Sequence, residues 1–486
     1  MPPRKKNSPR PSHLATQLLH AGELTDETFR PVATPIYRAT TYGLTDEIYR
    51  LVKKVNRTED PAGEVNDADV QALRDQVFYA RDSNPNVAVV ERKMAALEGC
   101  QAAVAAASGM GAIAATLLSL VRGKKYIVST PHLYGAAHTF IYHELAAMFG
   151  LRVIDLADFL GCEKGVGRVF PRPNGRSKSR GIKTLRREKT LPTPFFRPDD
   201  LAAIYVESLS NPFLLLAPLG DLVAVRDAVC PDVPIVVDNT FLTPANFRPF
   251  TVLDPRRDVV VYSATKYLGG HADVIAGLAC GSTAAINKVW DKMTLYGACL
   301  DAETAYYLER GLKTLDVRME RHNRNLAAVF DYLAGVAERF DLSLFHPLAG
   351  KKGSGVVCAK HPKGLQANDS RPLFPEVPAW ARELVRDGRL GGMITFNLNG
   401  KTERDGIRFM EALDRTGVIK HATSLGGVES LIAMPYNMMQ PTPLQQAALD
   451  FSRFPCLLRL SVGLEDPADL IAALDLAFRA TRRRGI

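Results

Sequence analysis

Two charged residues in the middle of the chain each follow a short apolar run. The run PIVVD ends at Asp238, and Lys266 stands shortly after the run VVVY. Runs of β-branched residues of this length predict buried strands, and an open parallel sheet binds its ligands beyond the carboxyl ends of its strands. An amine at that edge could form a Schiff base with an aldehyde. The plainer interpretations are a solvated lysine and an aspartate that caps the following helix.

A second set of residues could hold an anion. The sequence SGMG, which contains Ser108, Gly109 and Met110, opens a predicted helix. Glycines at a helix N-terminus let backbone N–H groups approach an anion, and the helix dipole favours negative charge there. The hydroxyls of Ser263 and Thr265, next to the candidate lysine, could contribute to the same site.

One ligand would use all of these groups, an aldehyde-bearing pyridine with a phosphate tail. Lys266 would supply the Schiff-base amine, and Asp238 would keep the ring nitrogen protonated, which makes the ring an electron sink. Tyr134 follows a further predicted strand and could stack on the ring, while Asn211 ends another strand at the same edge.

The elements that must position these residues alternate between helix and strand from residue 87 onward. Helical apolar spacing predicts helices over 88–97 and 112–120, and β-branched runs predict strands over 125–129, 203–206, 235–237 and 259–262. Short, uniformly apolar strands that alternate with helices are typical of a parallel sheet covered on both faces. The predicted fold class is therefore α/β.

The pattern changes after about residue 315. We expect a smaller C-terminal α+β domain with helices over 316–339, 404–416 and 467–479 and strands over 356–358 and 392–397. Residues 1–13 are expected to form a disordered tail, and residues 20–86 an irregular arm with one polar helix over 67–77. The predicted division is an N-terminal tail and arm over 1–78, a large ligand-binding domain over 79–315 and a small domain over 316–486.

Composition excludes a collagen-like, a disordered and a membrane-embedded protein. Hydrophobic residues make up 46% and charged residues 23% of 486 residues, as in ordinary globular proteins. Residues 161–198 contain eleven Lys or Arg and two Glu, so this segment alone carries the formal excess of +9. The seven cysteines are scattered without a CxxC pair, which argues against a metal site and indicates thiols in a reducing compartment. Without a signal peptide or a confident membrane span, we expect a cytoplasmic protein.

The order of motifs resembles that of the Cys/Met metabolism (transsulfuration) family of pyridoxal-phosphate enzymes, which includes cystathionine γ-synthase, O-acetylhomoserine sulfhydrylase and methionine γ-lyase. The matching stretches are YARDSNPNVAVVERKMAALEG (79–99), ASGMGAI (107–113), LYG (133–135), ESLSNP (207–212), VVDNTFLTP (236–244), YSATKYLGGHADVIAG (262–277), SLGGVESL (424–431) and LLRLSVGLED (457–466). The resemblance implies the aspartate-aminotransferase-like fold, fold type I, and pyridoxal 5'-phosphate as the cofactor.

The resemblance also implies a role for each matching residue. Lys266 would bind the cofactor and then move protons. The cofactor's ring would meet Asp238 at its nitrogen, Asn211 near its hydroxyl and Tyr134 on its face. Its phosphate would be held by Ser108, Gly109, Met110, Ser263 and Thr265.

Four further residues match positions that the family uses beyond its own cofactor pocket. Arg459 would grip the substrate α-carboxylate, with Ser424 beside it. Tyr79 and Arg81 resemble the pair that reaches the phosphate of a neighbouring subunit. The resemblance therefore implies a dimer of subunits that share active sites, usually paired into a tetramer.

Three positions guide the choice of reaction within the family. Ala136 stands where methionine γ-lyases have cysteine, and Thr139 and Thr423 stand where members that handle cystathionine often have arginine and glutamate. Because these positions are small and neutral, we expect γ-replacement on an activated homoserine by a thiol or sulfide. The alternative is a γ-elimination lyase, of the methionine or cystathionine γ-lyase type, which yields a 2-oxo acid.

Other interpretations depend on single segments. Residues 109–114 fit the dinucleotide-binding pattern G-x-G-x-x-A, but no acidic residue follows about twenty positions later, and the preceding Ala102–Ala107 is not β-branched. The basic segment 161–198 could be a solvated loop, a lid over the active site or a nucleic-acid-binding element. A non-catalytic relative is disfavoured because Lys266, Asp238 and Arg459 are all present.

Overall fold

The computed structural model describes residues 13–24, 30–56, 65–161, 196–350, 377–435 and 454–481. Its strands are β1 (Ala102–Ala106), β2 (Tyr126–Ser129), β3 (Arg152–Asp155), β4 (Leu201–Glu207), β5 (Ile235–Asp238), β6 (Val259–Ser263), β7 (Gly277–Gly281), β8 (Leu342–Phe345), β9 (Met393–Leu398), β10 (Ile419–His421), β11 (Ser430–Ala433) and β12 (Leu457–Ser461).

The α-helices are distributed along the whole described chain. They are α1 (Leu14–His20), α2 (Asp46–Val55), α3 (Asp67–Arg74), α4 (Pro85–Glu98), α5 (Gly109–Leu120), α6 (Gly135–Thr139), α7 (Leu145–Phe149), α8 (Leu156–Leu160), α9 (Leu219–Val229), α10 (Thr243–Asn246), α11 (Thr283–Tyr296), α12 (Ala302–Lys313), α13 (Leu315–Phe340), α14 (Arg382–Asp387), α15 (Glu403–Asp414) and α16 (Pro467–Thr481). A π-helical turn, Phe140–Glu144, joins α6 to α7.

A seven-stranded sheet carries most of the chemistry-bearing residues. Its strand order is β1-β7-β6-β5-β4-β2-β3, and only β7 runs antiparallel to its neighbours. Strands β4 and β5 are buried along their whole length, and two large groups of buried apolar side chains pack around the sheet. The expected parallel α/β sheet, covered on both faces, is confirmed.

A five-stranded sheet with the order β10-β11-β12-β9-β8 forms the smaller, mostly antiparallel part. Helices α13, α15 and α16 pack with it. The change from one sheet to the other follows the start of α13 at Leu315, and we propose this residue as the domain boundary.

Several expected elements differ from the observed ones. The arm is less irregular than expected, because it contains α2 besides the expected polar helix, which is α3. The Thr45 side chain caps α2 by accepting a hydrogen bond from Ile48 N. The predicted strand over 356–358 and the tail over 1–12 lie outside the described residues. None of the described helices is both long and apolar enough to cross a membrane.

Most of the stretch Ala102–Ala107 forms a strand although it is not rich in β-branched residues. Residues Ala102–Ala106 form β1, whose register with β7 places small side chains opposite one another, for instance Ala106 opposite Gly277. Alanine has low strand propensity in isolation, so tertiary pairing decides the conformation here. The dinucleotide pattern therefore does follow a strand, although β1 is an edge strand with no parallel neighbour.

Candidate active site

Lys266 lies in the turn that follows β6, and its amine is within hydrogen-bonding distance of a second chain segment. Its Nζ donates to Ser424 Oγ at 2.8 Å. Burial, and after it the positive charge of Arg459, lowers the pKa of Lys266 to about 8. Near neutral pH the neutral form of this amine is therefore far more populated than in an ordinary lysine, although still the minority, and the neutral form is the one a nucleophile or a base requires.

Arg459 lies on β12 and reaches the loop that follows β4. It donates from Nη1 to Asn211 Oδ1 and from Nη2 to the carbonyl of Ser424, both at 3.2 Å. Burial lowers the pKa of Arg459 to about 10, so the guanidinium is still charged at neutral pH. Ser424 has a φ of 80°, a left-handed conformation uncommon for a residue other than glycine. This backbone directs one residue's carbonyl at Arg459 and its hydroxyl at Lys266.

Asp238 is a buried acid at the carboxyl end of β5. Its Oδ1 accepts hydrogen bonds from Thr240 N at 3.0 Å and from Thr240 Oγ1 at 2.5 Å, and the Tyr205 hydroxyl lies 3.5 Å from Oδ2. Burial raises the pKa of Asp238. Within the described part of the chain no cation pairs with it, so the carboxylate is suited to a positively charged ligand group. A protonated pyridine nitrogen fits that requirement.

The N-terminus of α5 lies against the end of β6 and the start of β7. Ser108 caps the helix by accepting a hydrogen bond from Gly111 N at 3.0 Å, while the N–H groups of Gly109 and Met110, in the first turn, have no intrahelical partner. Side chains are excluded from this contact, because a Cβ at Gly109 would lie 2.7 Å from Ser263 Cβ. The helix end and Ser263 therefore form a narrow cradle of backbone and hydroxyl groups, which suits a phosphate.

The two hydroxyls beside Lys266 have different surroundings. The backbone N–H of Ser263 donates to Thr240 Oγ1 at 2.8 Å, which ties the end of β6 to the loop after β5. The Thr265 hydroxyl donates to the carbonyl of Ala276 at 3.3 Å and accepts a hydrogen bond from Ala276 N at 3.0 Å. Thr265 thus fixes the turn that carries Lys266.

Tyr134 follows β2 and precedes α6, with 48% of its surface exposed. Its backbone N–H donates to Glu207 Oε1 at 2.5 Å, and Asn211 N donates to the other oxygen, Oε2, at 3.1 Å. Glu207 was not predicted as a site residue, although it is the first residue of the ESLSNP motif. Thr240, the partner of Asp238, was also missed.

Tyr79 and Arg81 lie apart from this cluster. Both are exposed, and the Arg81 guanidinium stacks over the Tyr79 ring at 5.2 Å from its centroid. Tyr79 forms a bridge with Thr41 of the arm. Among the described residues, neither has a hydrogen bond or ring contact with Lys266, Asp238 or Arg459.

Most of the basic segment, residues 162–195, lies outside the described residues, so its function stays a prediction. Its described flanks meet through the Phe159 and Phe196 rings, 6.3 Å apart. Phe196 also packs against Tyr126, the first residue of β2, at the edge of the sheet opposite Lys266. Across the described ranges, no group of three or more His, Cys, Asp or Glu side chains could hold a metal ion.

Comparisons with known proteins agree with this geometry. A family model described as Cys/Met metabolism PLP-dependent enzyme matches residues 15–165, 195–343 and 372–479. The chain is 34% identical to an L-methionine gamma-lyase of Pseudomonas putida, over 83% of this chain and 85% of that protein. It is 33% identical to an L-methionine gamma-lyase of Porphyromonas gingivalis, over 97% and 98%.

Solved structures agree as well. Cystathionine gamma-lyase from Lactobacillus plantarum, complexed with L-serine, matches with a TM-score of 0.69 at 27% identity and covers 97% of this chain and 99% of that one. The expected fold type I is therefore confirmed. The chain belongs to the Cys/Met metabolism family of PLP-dependent enzymes, and pyridoxal 5'-phosphate is its cofactor.

Proposed function

We propose that this enzyme is a γ-elimination lyase that acts on L-methionine. The overall reaction is L-methionine plus water giving methanethiol, ammonia and 2-oxobutanoate. Both sequence relatives above are L-methionine gamma-lyases, and the solved neighbour is a cystathionine gamma-lyase. These likenesses favour the elimination alternative over the γ-replacement that we expected from Ala136, Thr139 and Thr423.

The relatives carry the choice of methionine elimination. The structural observation that supports proton transfer at the substrate carbons is the contact between Lys266 Nζ and Ser424 Oγ, next to the buried Arg459. Arg459 binds the substrate α-carboxylate, for which a planar guanidinium is well suited. Lys266 lies close by and is partly neutral. It takes the proton from the substrate α-carbon and then removes a proton from the β-carbon. Departure of the γ-substituent as a thiol follows. Ser424, whose hydroxyl accepts from Lys266 Nζ at 2.8 Å, orients that amine.

The remaining residues of the cluster hold the cofactor. When bound, pyridoxal phosphate supplies an electron sink for the charge left at the substrate carbon. Asp238 would meet its ring nitrogen, Asn211 would lie near its ring hydroxyl and Tyr134 would stack on its ring. Ser108, Gly109, Met110, Ser263 and Thr265 would hold its phosphate.

We also propose that the active unit is a dimer. Tyr79 and Arg81 are exposed and lie away from the Lys266 cluster, as residues that serve a neighbouring subunit's site would. Exposed apolar side chains, including Val32, Leu295 and Tyr296, support a further contact surface. Sedimentation of the protein tests whether it is a dimer. Mixing the Arg81→Ala and Lys266→Ala proteins and measuring activity tests whether subunits share sites, because a mixed dimer would contain one site with both residues intact.

One assay tests the reaction. The purified, cofactor-loaded enzyme is incubated separately with L-methionine, cystathionine and O-acetylhomoserine, with and without sulfide, and 2-oxobutanoate is measured against thiol and thioether products. We expect 2-oxobutanoate and methanethiol from methionine alone, and neither from the Lys266→Ala variant. Homocysteine from O-acetylhomoserine and sulfide, with no 2-oxobutanoate from methionine, would overturn the proposal.

A further inference from the structure

Glu207 joins the two loops that carry Tyr134 and Asn211. It is the last residue of β4, and only 7% of its surface is exposed. One carboxylate oxygen accepts a hydrogen bond from the backbone of Tyr134 and the other from the backbone of Asn211. A single buried side chain thus sets the distance between these two loops.

Asn211 connects Glu207 to the five-stranded sheet. Asn211 accepts a hydrogen bond from Arg459 through its side-chain oxygen at 3.2 Å. Two hydrogen bonds, through Asn211, connect Glu207 to the Arg459 guanidinium. On the other side, one hydrogen bond connects Glu207 to the backbone N–H of Tyr134, the residue that carries the ring. A shift of the carboxylate would move both groups together.

The position of Glu207 is electrostatically costly, which argues for a function. The register of β4 and β5 pairs Glu207 with Asp238, so two buried acids lie side by side at the same edge of the sheet. Burial, and after it the charge of Asp238, raises the pKa of Glu207 well above its ordinary value, although the bonds from Tyr134 and Asn211 lower it. The two backbone bonds need an acceptor on each side of the side chain, and a carboxyl group has an oxygen on both sides.

We infer that Glu207 is a positioning residue, whose carboxylate holds the Tyr134 ring over the cofactor and orients Asn211 toward Arg459. The inference rests on the roles proposed above for Tyr134 and Arg459, but not on the identity of the substrate. Glutamine at this position has the same size but only one acceptor, so one of the two backbone N–H groups would be left buried without a partner.

Cofactor binding and the cofactor's asymmetric environment test the inference without turnover. We expect Glu207→Gln to bind pyridoxal phosphate about 10-fold more weakly, the ratio for one buried N–H group left without an acceptor. The visible circular dichroism of the bound cofactor should fall by about half, because the ring loses its fixed partner. Glu207→Asp keeps both oxygens and should recover part of each signal.

Glu309→Gln is the matched control, because Glu309 is a buried glutamate on α12 that pairs with Lys313. It should leave the affinity and the dichroism unchanged. Wild-type affinity and dichroism in Glu207→Gln would overturn the inference, whatever substrate the enzyme uses. If neither Glu207 variant folds, hydrogen exchange of wild type decides the matter: protected amides at Tyr134 and Asn211 support the inference, and fast exchange at both refutes it.

Discussion

Arg459 on the five-stranded sheet donates a hydrogen bond of 3.2 Å to the side-chain oxygen of Asn211, which follows a strand of the seven-stranded sheet. The same guanidinium bonds the carbonyl of Ser424, whose hydroxyl accepts from Lys266. One cation therefore connects the two sheets at the site. After burial, its charge is the second cause that lowers the pKa of Lys266, the residue that we propose as the base.

Replacing Arg459 tests its function as the carboxylate anchor. A lysine keeps the charge but loses the planar fork, so Arg459→Lys should reduce kcat/KM for the amino acid about 30-fold, or about 2 kcal/mol. Most of this change should be in KM. Arg415→Lys, at an exposed ion pair with Glu411, is the control and should leave both constants unchanged. A wild-type KM in Arg459→Lys would show that another group binds the carboxylate.

The lowered pKa of Lys266 predicts how cofactor uptake depends on pH. Only the neutral amine attacks an aldehyde, so the rate of pyridoxal phosphate binding to the cofactor-free protein should rise with pH and level off above a midpoint of about 8. Stopped-flow absorbance measures this rate. In Arg459→Met the midpoint should move upward, because the neighbouring positive charge is lost. A wild-type midpoint near 10.5, the ordinary lysine value, would contradict the burial of this amine.

Glycine at position 277 is required by the contact between β7 and the start of α5. A Cβ there would overlap the Ser108 carbonyl, which is backbone and cannot rotate away. Gly277→Ala should therefore lower the free energy of unfolding, measured by urea unfolding, by about 3 kcal/mol. It should also weaken binding of the cofactor through its phosphate, measured by dialysis of the cofactor. Gly335→Ala is the control, since Gly335 lies in α13 with open space around its Cβ position. It should stabilise the protein slightly. Equal behaviour of the two variants would mean that the cradle is not tightly packed.

The sequence predicted the strands and helices that have a clear local pattern of apolar residues. Strands β4, β5 and β6 consist mainly of β-branched and other apolar residues, and Asp238 ends β5 while Lys266 follows β6, both at the carboxyl end of the sheet, as expected from the sequence. Strand β7, GLACG, was not predicted, because its small residues have low strand propensity and only its pairing with β1 and β6 makes it a strand.

The site's long-range bonds were also beyond local patterns. Asn211 and Arg459 are 248 residues apart, and Lys266 and Ser424 are 158 apart, so only the packing of one sheet against the other brings them into contact. Motif resemblance grouped these residues, but it gave no reason for Glu207, because that acid bonds backbone N–H groups, which every sequence contains.

Glu98 makes stability depend on pH through a buried network behind the site. Its Oε1 accepts a hydrogen bond from the Tyr262 hydroxyl, which in turn accepts one from Asn239 Nδ2 at 2.9 Å. Burial raises the pKa of Glu98 to about 7, so the folded protein holds a proton that the unfolded chain releases near pH 4.5. The unfolding free energy should therefore fall as pH rises from about 4.5 to 7, by up to about 3 kcal/mol.

Glu98→Gln removes this titration while it keeps an oxygen to accept from Tyr262. Urea unfolding of both proteins at a fixed protein concentration, at intervals from pH 5 to pH 8, should show a smaller loss of stability with rising pH in the variant. The two curves should lie closest at pH 5, where Glu98 is protonated in the folded state, and separate toward pH 8 with the variant more stable. Parallel curves over the whole range would mean that Glu98 is ionised in the folded protein and that another cation, with Arg248 the nearest candidate, compensates its charge.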